Sequence, residues 1–574
     1  MKSLRSARLL ASLLLFWLGT STAFAAHHHL SPELNERVAR AETDSENQKA
    51  DAQFVDVIIQ FKPGAQLDDH IARLVNAGGK HKNRLDLING GLFRVPASLL
   101  STLAEDPDVA YISPDREIKK HSKLDFIMDA TDTTSIINLG YDGDGIGVAV
   151  IDSGVNSSHP DLQDTGRNGT YARVVYSQSF VTGLDASDQY GHGTHVAGLI
   201  AGNGNVSGNW MIGMASEVSI INLRVLDANG AGTDSAVIAA IQRAIQLKNQ
   251  YNIRVINLSL GRGIAESYKQ DPLCQAVEQA WKAGIVVVVA AGNDGQDNSM
   301  NTNGYATITA PGNDPYVITV GAFNTRGTDT TSDDVMTSYS SKGPSLLDHV
   351  IKPDLVAPGN KIVSLLANGS TLDKKAVSNE ISPSLYNSRA TKASYFILSG
   401  TSMSTAIVSG AVALMLQYQS NLSPDQVKAR LMKNASKTYP SNSTVTSNGT
   451  KYNIQDDIFT VGAGYLDTYD AMNSNDFPSG TALSPIAVRD HSGNVLLQVD
   501  SSSIWSNSII WDDSIVWGNS VLLSGSSVSG SSIIWGNSVV WGNSTMSGNS
   551  IIWDNSIIWG TSTTFSEAFN SDDN

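Results

Sequence analysis

Short apolar runs alternate with amphipathic stretches through the middle of the chain, from Gly145 onward. The runs are nearly continuous in apolar residues, as in strands buried on both faces of a parallel sheet: Val148–Ile151, Ser219–Val225, Arg254–Leu260, Ile285–Ala291 and Tyr316–Ala322. Between them, apolar positions recur with helical spacing over His192–Ala201, Thr233–Lys248 and Pro272–Ala283. This alternation predicts an α/β fold with a doubly wound, mainly parallel sheet, which places functional groups at the carboxyl ends of strands.

A smaller pattern precedes this region. It predicts strands and helices in turn over Val55–Phe61, Leu67–Ala77, Gly91–Val95, Ala97–Ala104 and Val109–Ile112. We interpret residues 53–121 as a small α+β, ferredoxin-like unit that follows a polar linker over residues 26–52.

The first 25 residues have the pattern of a secretory signal. Basic residues lead into an apolar run over Leu9–Leu18, and Ala23–Ala25 fits a small-residue cleavage site. The apolar run is short for a membrane span. We therefore expect a secreted or extracellular protein with a signal peptide at residues 1–25.

The C-terminal part has a different pattern. Seven of the ten tryptophans lie on one six-residue period: Trp505, Trp511, Trp517, Trp535, Trp541, Trp553 and Trp559. We predict a β-solenoid-like hexapeptide repeat over residues 502–561, because β-branched stretches alternate with Gly/Asn corners; a disordered low-complexity segment is the alternative. A connector over residues 474–501, with a strand at Val495–Val499, would precede it, and a polar tail over residues 562–574 would follow.

Composition excludes some classes of function. The net charge of -16 argues against nucleic acid as a partner. The chain has one cysteine, Cys274, which excludes a disulfide within the chain. It lies in a helix-like run, and we interpret it as a core residue rather than a functional thiol.

Ser402 begins an apolar helical run that extends to Leu416. At the start of a helix, backbone N–H groups point outward and the dipole favours negative charge. A serine there suits a nucleophile whose oxyanion meets ready donors, although a plain N-cap serine would look the same.

Two further motifs support the catalytic interpretation. Asp152 ends a buried strand, where a charge needs a partner, and His192 lies between glycines at the start of a helix. The order Asp, His, Ser is that of one known class of serine protease, and the Gly-x-Ser-x-Gly elbow of lipases is absent. A zinc site formed by His192 and His195 is an alternative, but the sequence shows no third ligand.

Taken together, Asp152-Ser-Gly, His192-Gly-Thr-His and Gly400-Thr-Ser402-Met resemble the signature blocks of the subtilisin-like serine proteases. The segment Ala290–Gly295 resembles the one that carries the oxyanion asparagine. The segments Ile256–Gly261 and Asn229–Asp234 resemble those that line the substrate cleft. The resemblance covers about residues 54–473.

The resemblance implies a role for each of these residues. Ser402 would attack the peptide bond, His192 would act as general base and acid, Asp152 would orient His192, and Asn293 would hold the oxyanion. Substrate-binding residues would be Ser259, Leu260, Gly261, Gly230 and Gly232, and the substrates would be proteins or peptides.

The resemblance also implies a self-processed precursor. Residues 53–121 would be an inhibitory propeptide, acting as an intramolecular partner of a peptidase domain at residues 122–473; an unrelated ferredoxin-like module is the alternative. No cofactor is required in this family. Calcium is common, and Asp161 and residues 203–208 are candidate regions, but no metal site is assigned.

One departure from the family pattern is Ala406, where most members have proline. The second hypothesis is an impaired subtilase that only binds, with its Trp-rich tail as the working part; the presence of all three triad residues and Asn293 favours the enzyme. In either case the tail would contact a surface or a polymer.

Overall fold

The computed structural model describes residues 29, 30, 34, 38, 54–114 and 131–489, with gaps at 63, 86–88, 132, 134–135, 138, 167–168, 329, 388–390 and 441. It also describes short strands at 495–498, 533–535, 539–541 and 564–565. The predicted signal peptide lies outside these residues. In the part of the chain that is described, no helix has the length and apolar character needed to span a membrane.

The chain divides into two compact units, Met1–Lys120 and His121–Asn574. The elements of the first are β1, α1, β2, β3, α2 and β4: Phe54–Phe61, Leu67–Asn76, Lys80–Leu85, Gly90–Pro96, Leu99–Ala104 and Val109–Pro114. The strands form an antiparallel sheet in the order β2-β3-β1-β4, and the βαββαβ order is that of ferredoxin-like units. Side chains of β1 alternate between buried and solvent-facing positions, as its sequence pattern predicts.

Strand β2 is absent from the sequence-based prediction. Its sequence, Lys-His-Lys-Asn-Arg-Leu, is mostly polar, because β2 is an edge strand of the sheet. Charged side chains are the usual means by which edge strands avoid pairing with other molecules. Because of them, β2 lacks the apolar pattern from which the other strands are predicted.

The second unit is built around an eight-stranded sheet in the order β14-β13-β12-β11-β5-β9-β8, with β15 also paired to β13. Its strands are Gly147–Asp152 (β5), Val174–Ser179 (β8), Ser219–Arg224 (β9), Ile253–Leu258 (β11), Val286–Ala290 (β12), Ile318–Asn324 (β13), Val335–Met336 (β14) and Leu355–Pro358 (β15). All pairs are parallel except β13 with β14. The predicted α/β fold with a mainly parallel sheet is therefore confirmed.

Helices pack against this sheet, and the other short strands form separate two-stranded sheets. The helices are His192–Ala201 (α3), Asp234–Tyr251 (α4), Pro272–Lys282 (α5), Thr371–Lys375 (α6), Thr401–Tyr418 (α7), Pro424–Lys433 (α8) and Thr468–Asn473 (α9), with single 3-10 turns at Pro160–Leu162, Thr331–Asp333, Val377–Asn379 and Pro383–Leu385. The remaining strands up to residue 498 are Gln163–Gly166 (β6), Gly169–Ala172 (β7), Ala231–Gly232 (β10), Ile362–Leu365 (β16), Tyr395–Leu398 (β17), Asn442–Ser447 (β18), Thr450–Gln455 (β19), Ile486–Arg489 (β20) and Val495–Gln498 (β21).

The predicted helix starts agree with the structure because their caps are visible in the sequence. The Ser423 hydroxyl caps α8 by accepting the Gln426 N–H, and the Gln426 side chain accepts the Ser423 N–H in return. Pro424 occupies the first position of the helix. Helix α7 runs without interruption through Ala406, which is fully buried. Alanine at this position therefore leaves the helix intact.

Residues of the predicted connector are bound into the second unit. The Ser484 backbone N–H donates to Pro315 O at 2.9 Å, and the Ile351 N–H donates to Pro485 O at 2.8 Å. The Ser484 hydroxyl donates to Oδ1 of the buried Asp354. The segment up to about residue 487 thus packs as part of this unit.

Asp354 is the centre of a buried charge cluster. Its carboxylate pairs with Lys352 at 2.7 Å and with Lys428 at 3.2 Å, and all three side chains are buried. Nζ of Lys428 also donates to the carbonyl oxygens of Pro315 and Val317 at 2.8 and 3.0 Å. These bonds satisfy charges that burial would otherwise make costly.

Of the predicted repeat, the structure describes two hexads. Ile533–Trp535 (β22) pairs antiparallel with Val539–Trp541 (β23), which is the arrangement of a hairpin rather than of stacked solenoid coils. The other hexads lie outside the described residues. A final short strand, Thr564–Phe565 (β24), pairs antiparallel with β10.

Candidate active site

Asp152 ends β5, which lies in the middle of the sheet between β9 and β11. Its carboxylate accepts a hydrogen bond from Nδ1 of His192, at 2.8 Å to Oδ1 and 3.0 Å to Oδ2. Both side chains are fully buried. The carboxylate also accepts the Ser153 N–H at 2.7 Å, so its position is fixed from two sides.

Two glycines allow His192 to come this close. Gly191 precedes α3 with φ of +110°, a conformation that side-chain-bearing residues rarely adopt. A Cβ on Gly193 would lie 2.1 Å from Gly154 O and 3.1 Å from Cβ of Asp152. The Gly-His-Gly sequence therefore lets the start of α3 lie directly against the end of β5.

The two histidines of this helix have different environments. Burial lowers the pKa of His192, but the charge and hydrogen bond of Asp152 and the charge of Asp188 outweigh it, so the pKa is raised above 6.5. Burial and the neighbouring His192 lower the pKa of His195 to about 3. Nε2 of His195 faces the carbonyl oxygens of Ile362 and Phe396, so this ring is neutral and structural.

The alternative zinc site does not fit this geometry. Nδ1 of His192 faces Asp152, whereas Nε2 of His195 faces backbone carbonyl oxygens. Among the described residues, one group of three potential ligands occurs, His70, Asp106 and Asp108, and it includes neither histidine. The structure therefore brings no third ligand to this pair.

Ser402 is the second residue of α7 and is buried. Its hydroxyl donates to Ser259 O at 3.1 Å, and its carbonyl oxygen accepts the Ser259 hydroxyl at 2.9 Å. Helix α7 packs against α3. Nε2 of His192 makes no hydrogen bond within the described part of the chain, which leaves it as an acceptor for an incoming proton.

Asn293 is held by the start of the same helix. Its Oδ1 accepts hydrogen bonds from the Thr401 N–H at 2.9 Å and from the Thr401 hydroxyl at 3.1 Å. With the amide oxygen engaged, Nδ2 is the donor end of this side chain. Asn293 and Ser402 line one pocket, so the amide and the first turn of α7 face a common space.

This pocket has a volume of about 110 Å³, well below the 300–1,000 Å³ of typical small-molecule sites. It suits a single side chain of a longer substrate. Its wall contains five of the residues predicted from the sequence: Ser259, Leu260, Gly261, Asn293 and Ser402. Asp152 and His192 meet at the end of β5, and Gly230 and Gly232 lie outside the pocket wall, at strand β10.

The sequence analysis assigned no role to five other side chains of this pocket, Arg262, Ala290, Asp294, Thr309 and Thr401. Thr309 lies between two glycines, since a Cβ on Gly261 or Gly292 would come within 2.5 or 2.8 Å of it. Asp294 lies inside the Ala290–Gly295 segment without a role assigned to it, and no local motif marks Arg262 or Thr309. Arg262 and Asp294 follow Ser259 and Asn293 by three residues and one residue, whereas Thr309 is sixteen residues beyond Asn293 and reaches the pocket only through the fold.

The candidate calcium region is already satisfied by the protein. The Asp161 carboxylate accepts the Val206 N–H at 2.7 Å on one oxygen and the Tyr395 hydroxyl on the other. Oδ1 of Asn203 accepts the Asn205 N–H at 3.0 Å. These side-chain oxygens therefore already have protein partners, and the structure assigns no calcium site to them.

Cys274 behaves as the sequence predicts. It is fully buried and its Sγ donates to Oδ1 of Asn313. Burial, with the charges of Asp314 and Asp271, raises the pKa of the thiol, which keeps it protonated and unreactive.

Comparison with known proteins gives a consistent picture. The sequence profile of the subtilase family matches residues 143–464. Serine protease AprX of Bacillus subtilis is 36% identical over 411 residues, which cover 68% of this chain and 84% of that protein. Subtilisin E of Bacillus subtilis is 33% identical over 367 residues, covering 64% and 80%. The extracellular serine proteinase of a Thermus species is 35% identical over 353 residues, covering 60% and 70%. This chain therefore belongs to the subtilase family of serine proteases and acts on proteins or peptides.

Proposed function

We propose that this chain is a secreted serine endopeptidase that uses Asp152, His192 and Ser402, and that it matures by cleaving itself. The observation that carries the proposal is the buried Asp152–His192 pair at the carboxyl end of the central strand, beside the helix whose first turn holds Ser402. A buried carboxylate on Nδ1 fixes the tautomer that leaves Nε2 as a base.

The reaction follows from these positions. The Ser402 hydroxyl turns from Ser259 O toward Nε2 of His192, gives up its proton, and Oγ attacks the peptide carbonyl carbon. The imidazolium is stabilised by Asp152, and it then protonates the leaving amine. Water hydrolyses the acyl-enzyme with His192 again acting as base.

The oxyanion of the tetrahedral intermediate needs donors. Nδ2 of Asn293 and the backbone N–H of Ser402 supply them in this proposal. The helix dipole of α7 adds to both, because the negative charge develops at its N-terminus.

The substrate would lie extended along the pocket and strand β10. The segment Ser259–Gly261 borders the pocket beside Ser402. Gly230 precedes strand β10 and Gly232 is its last residue, and β10 pairs antiparallel with another extended segment, β24, in this structure. Adding a strand to such an edge is a common way to bind a peptide.

Maturation requires that residues 53–121 act as a propeptide. The βαββαβ unit ends with β4 at Pro114, and we propose cleavage near Lys119 to Leu124, outside the described residues.

The Trp-rich repeat would contact a surface or polymer. Calcium remains unassigned.

Two experiments test this proposal. One is the substitution Ser402→Ala, and the other is the reaction of the unsubstituted protein with a fluorophosphonate probe. We expect the probe to label Ser402, and the variant to stay unprocessed and inactive on casein. N-terminal sequencing of the secreted protein should place the new terminus between residues 119 and 125. A processed, unlabelled and inactive wild-type protein would favour the binding-only hypothesis.

A further inference from the structure

Asp188 lies in the loop before α3 and has a role that the proposed triad does not include. It is buried, with 8% of its surface exposed. Its Oδ1 accepts the Ser153 hydroxyl at 2.8 Å and the Gly191 N–H at 2.7 Å. Its Oδ2 accepts the Thr194 N–H at 2.8 Å and the Thr194 hydroxyl at 2.7 Å. The ionised carboxylate satisfies all four donors at once.

These donors come from the two elements that carry the catalytic pair. Ser153 follows Asp152 at the end of β5, whereas Gly191 and Thr194 flank His192 at the start of α3. Ser153 also accepts the Gly193 N–H on its hydroxyl oxygen at 2.9 Å. The carboxylate of Asp188 and the Ser153 hydroxyl thus form a closed hydrogen-bonded link between the two elements.

The link replaces a conventional helix cap. The N-cap residue of α3 is Gly191, which has no side chain to accept the first amides. Asp188 accepts the Gly191 and Thr194 N–H groups in its place. A glycine is needed for the close approach of His192, so the capping carboxylate has to come from elsewhere in the loop.

We propose that Asp188 is a positioning residue for peptide hydrolysis, because its buried carboxylate holds the start of α3 against the end of β5 and so fixes the contact between Asp152 and His192. The inference rests on the proposed function, since it assigns the residue to that reaction. A displacement of reacting groups by about 1 Å can cost about 100-fold in rate.

Asp188 also contributes its charge. The titratable and charged groups that act on this part of the described chain are Asp152 from β5, Asp188 from the loop, His195 from α3 and Arg224 from β9. The negative charges of Asp152 and Asp188 raise the pKa of His192. His195 is neutral, and the charge of Arg224, whose guanidinium donates to Asp185 O, Ser187 O and Gln189, offsets part of the field of Asp188.

The experiment compares Asp188→Asn with the matched control Asp185→Asn in the full-length protein, using active-site titration and a fluorogenic peptide. Asp185 is an exposed residue of the same loop. In Asp188→Asn the amide has one acceptor oxygen, and two of the four donors meet an NH₂ group. We expect kcat to fall about 10- to 100-fold with KM changed less than about threefold, and the acid limb of kcat/KM to move down by a few tenths of a pH unit.

Two further variants separate charge from geometry and cover a failure to fold. Asp188→Glu keeps the charge, so its acid limb should stay at the wild-type pH while kcat falls. Ser153→Ala removes the link but keeps the Asp188 charge, and should lower kcat without moving the acid limb. The inference is overturned if Asp188→Asn and Ser153→Ala both keep wild-type kcat and acid limb. A wild-type protein that cleaves no peptide would instead refute the proposed function.

Discussion

Nδ1 of His192 lies 2.8 Å from Oδ1 of Asp152, and neither side chain has any exposed surface. Replacing this carboxylate with an amide should leave the fold intact and favour the wrong tautomer of the imidazole. We predict that Asp152→Asn lowers kcat by about 10⁴-fold. The check is kcat on a fluorogenic peptide with active-site titration, and Asp144→Asn, an exposed position in the turn before β5, is the control. A loss below tenfold would mean that Asp152 does not orient the base.

The raised pKa of His192 predicts the pH dependence of the free enzyme. The imidazole must be neutral to accept the Ser402 proton, so activity is gained as the pH rises through this pKa. Because the Asp152 and Asp188 charges outweigh burial, the acid limb of kcat/KM should have its midpoint above 6.5. A profile of kcat/KM from pH 5 to 9 with a midpoint below 6.5 would show that burial dominates.

Asn293 should act on the transition state and not on the bound substrate. Asn293→Ala removes Nδ2, so we predict a loss of about 10²- to 10³-fold in kcat with little change in KM. Its Oδ1 also accepts two bonds from Thr401, so circular dichroism and the melting temperature must be recorded beside the kinetics. Near-normal kcat in a folded variant would assign the oxyanion to other donors.

The charge of the pocket should bias substrate choice. Arg262 is neutralised, since its guanidinium binds Asp234 at 2.9 Å and Asp271 at 2.8 Å. Asp294 is exposed and makes no side-chain hydrogen bond or ion pair within the described residues, so its carboxylate is the unbalanced charge of the wall. A surface ion pair is worth up to about 1 kcal/mol.

Peptides that differ only in the residue before the cleaved bond can test this bias. We predict that Asp294→Asn lowers the ratio of kcat/KM for lysine over methionine about two- to fivefold. Asp144→Asn, an exposed position in the turn before β5 and outside the pocket wall, should leave the ratio unchanged. Equal ratios in Asp294→Asn and the wild type would remove Asp294 from the recognition of substrate.

The boundary of the peptidase unit can be tested by truncation. Deleting residues 502–574 should spare cleavage of a small peptide. Deleting residues 474–574 also removes Ser484 from Asp354 and Lys428, which costs about 1–3 kcal/mol of unfolding free energy. We expect a melting temperature lower by at least about 2 °C than in the shorter deletion. Equal melting temperatures would show that the segment after residue 473 is dispensable.

The sequence predicts those parts of the molecule in which local patterns determine the structure. The buried strands of the parallel sheet are continuous apolar runs, so β5 and β12 are found within one or two residues. Helix α3 is predicted at its observed ends, because the glycine before His192 and the glycine after Ala201 disfavour continuation of the helix. The edge strand β2 has no such signal, since its sequence is mostly polar.

The candidate site is predicted only in part, for a similar reason. Asp152, His192 and Ser402 lie in compact motifs, each with its own glycine. Asp188 and Thr309 act through partners that are distant in the chain or on other elements. Their roles therefore cannot be inferred from the local sequence, because only the fold brings those partners together. The same holds for Lys428, whose burial could not be inferred from an amphipathic helix in which lysine normally faces solvent.

The position of Lys428 has a consequence for the behaviour of this enzyme in solutions of different ionic composition. Its ammonium group lies among the carbonyl oxygens of Pro315 and Val317 and the Asp354 carboxylate, a set of hard oxygen ligands of the kind that proteins use for cations. Here the cation is covalently attached to the chain. It cannot be diluted away, removed by a chelator or exchanged for another ion, so the group stays in place whatever salts surround the protein. Its charge depends on pH instead, because burial lowers the pKa of Lys428 to about 7.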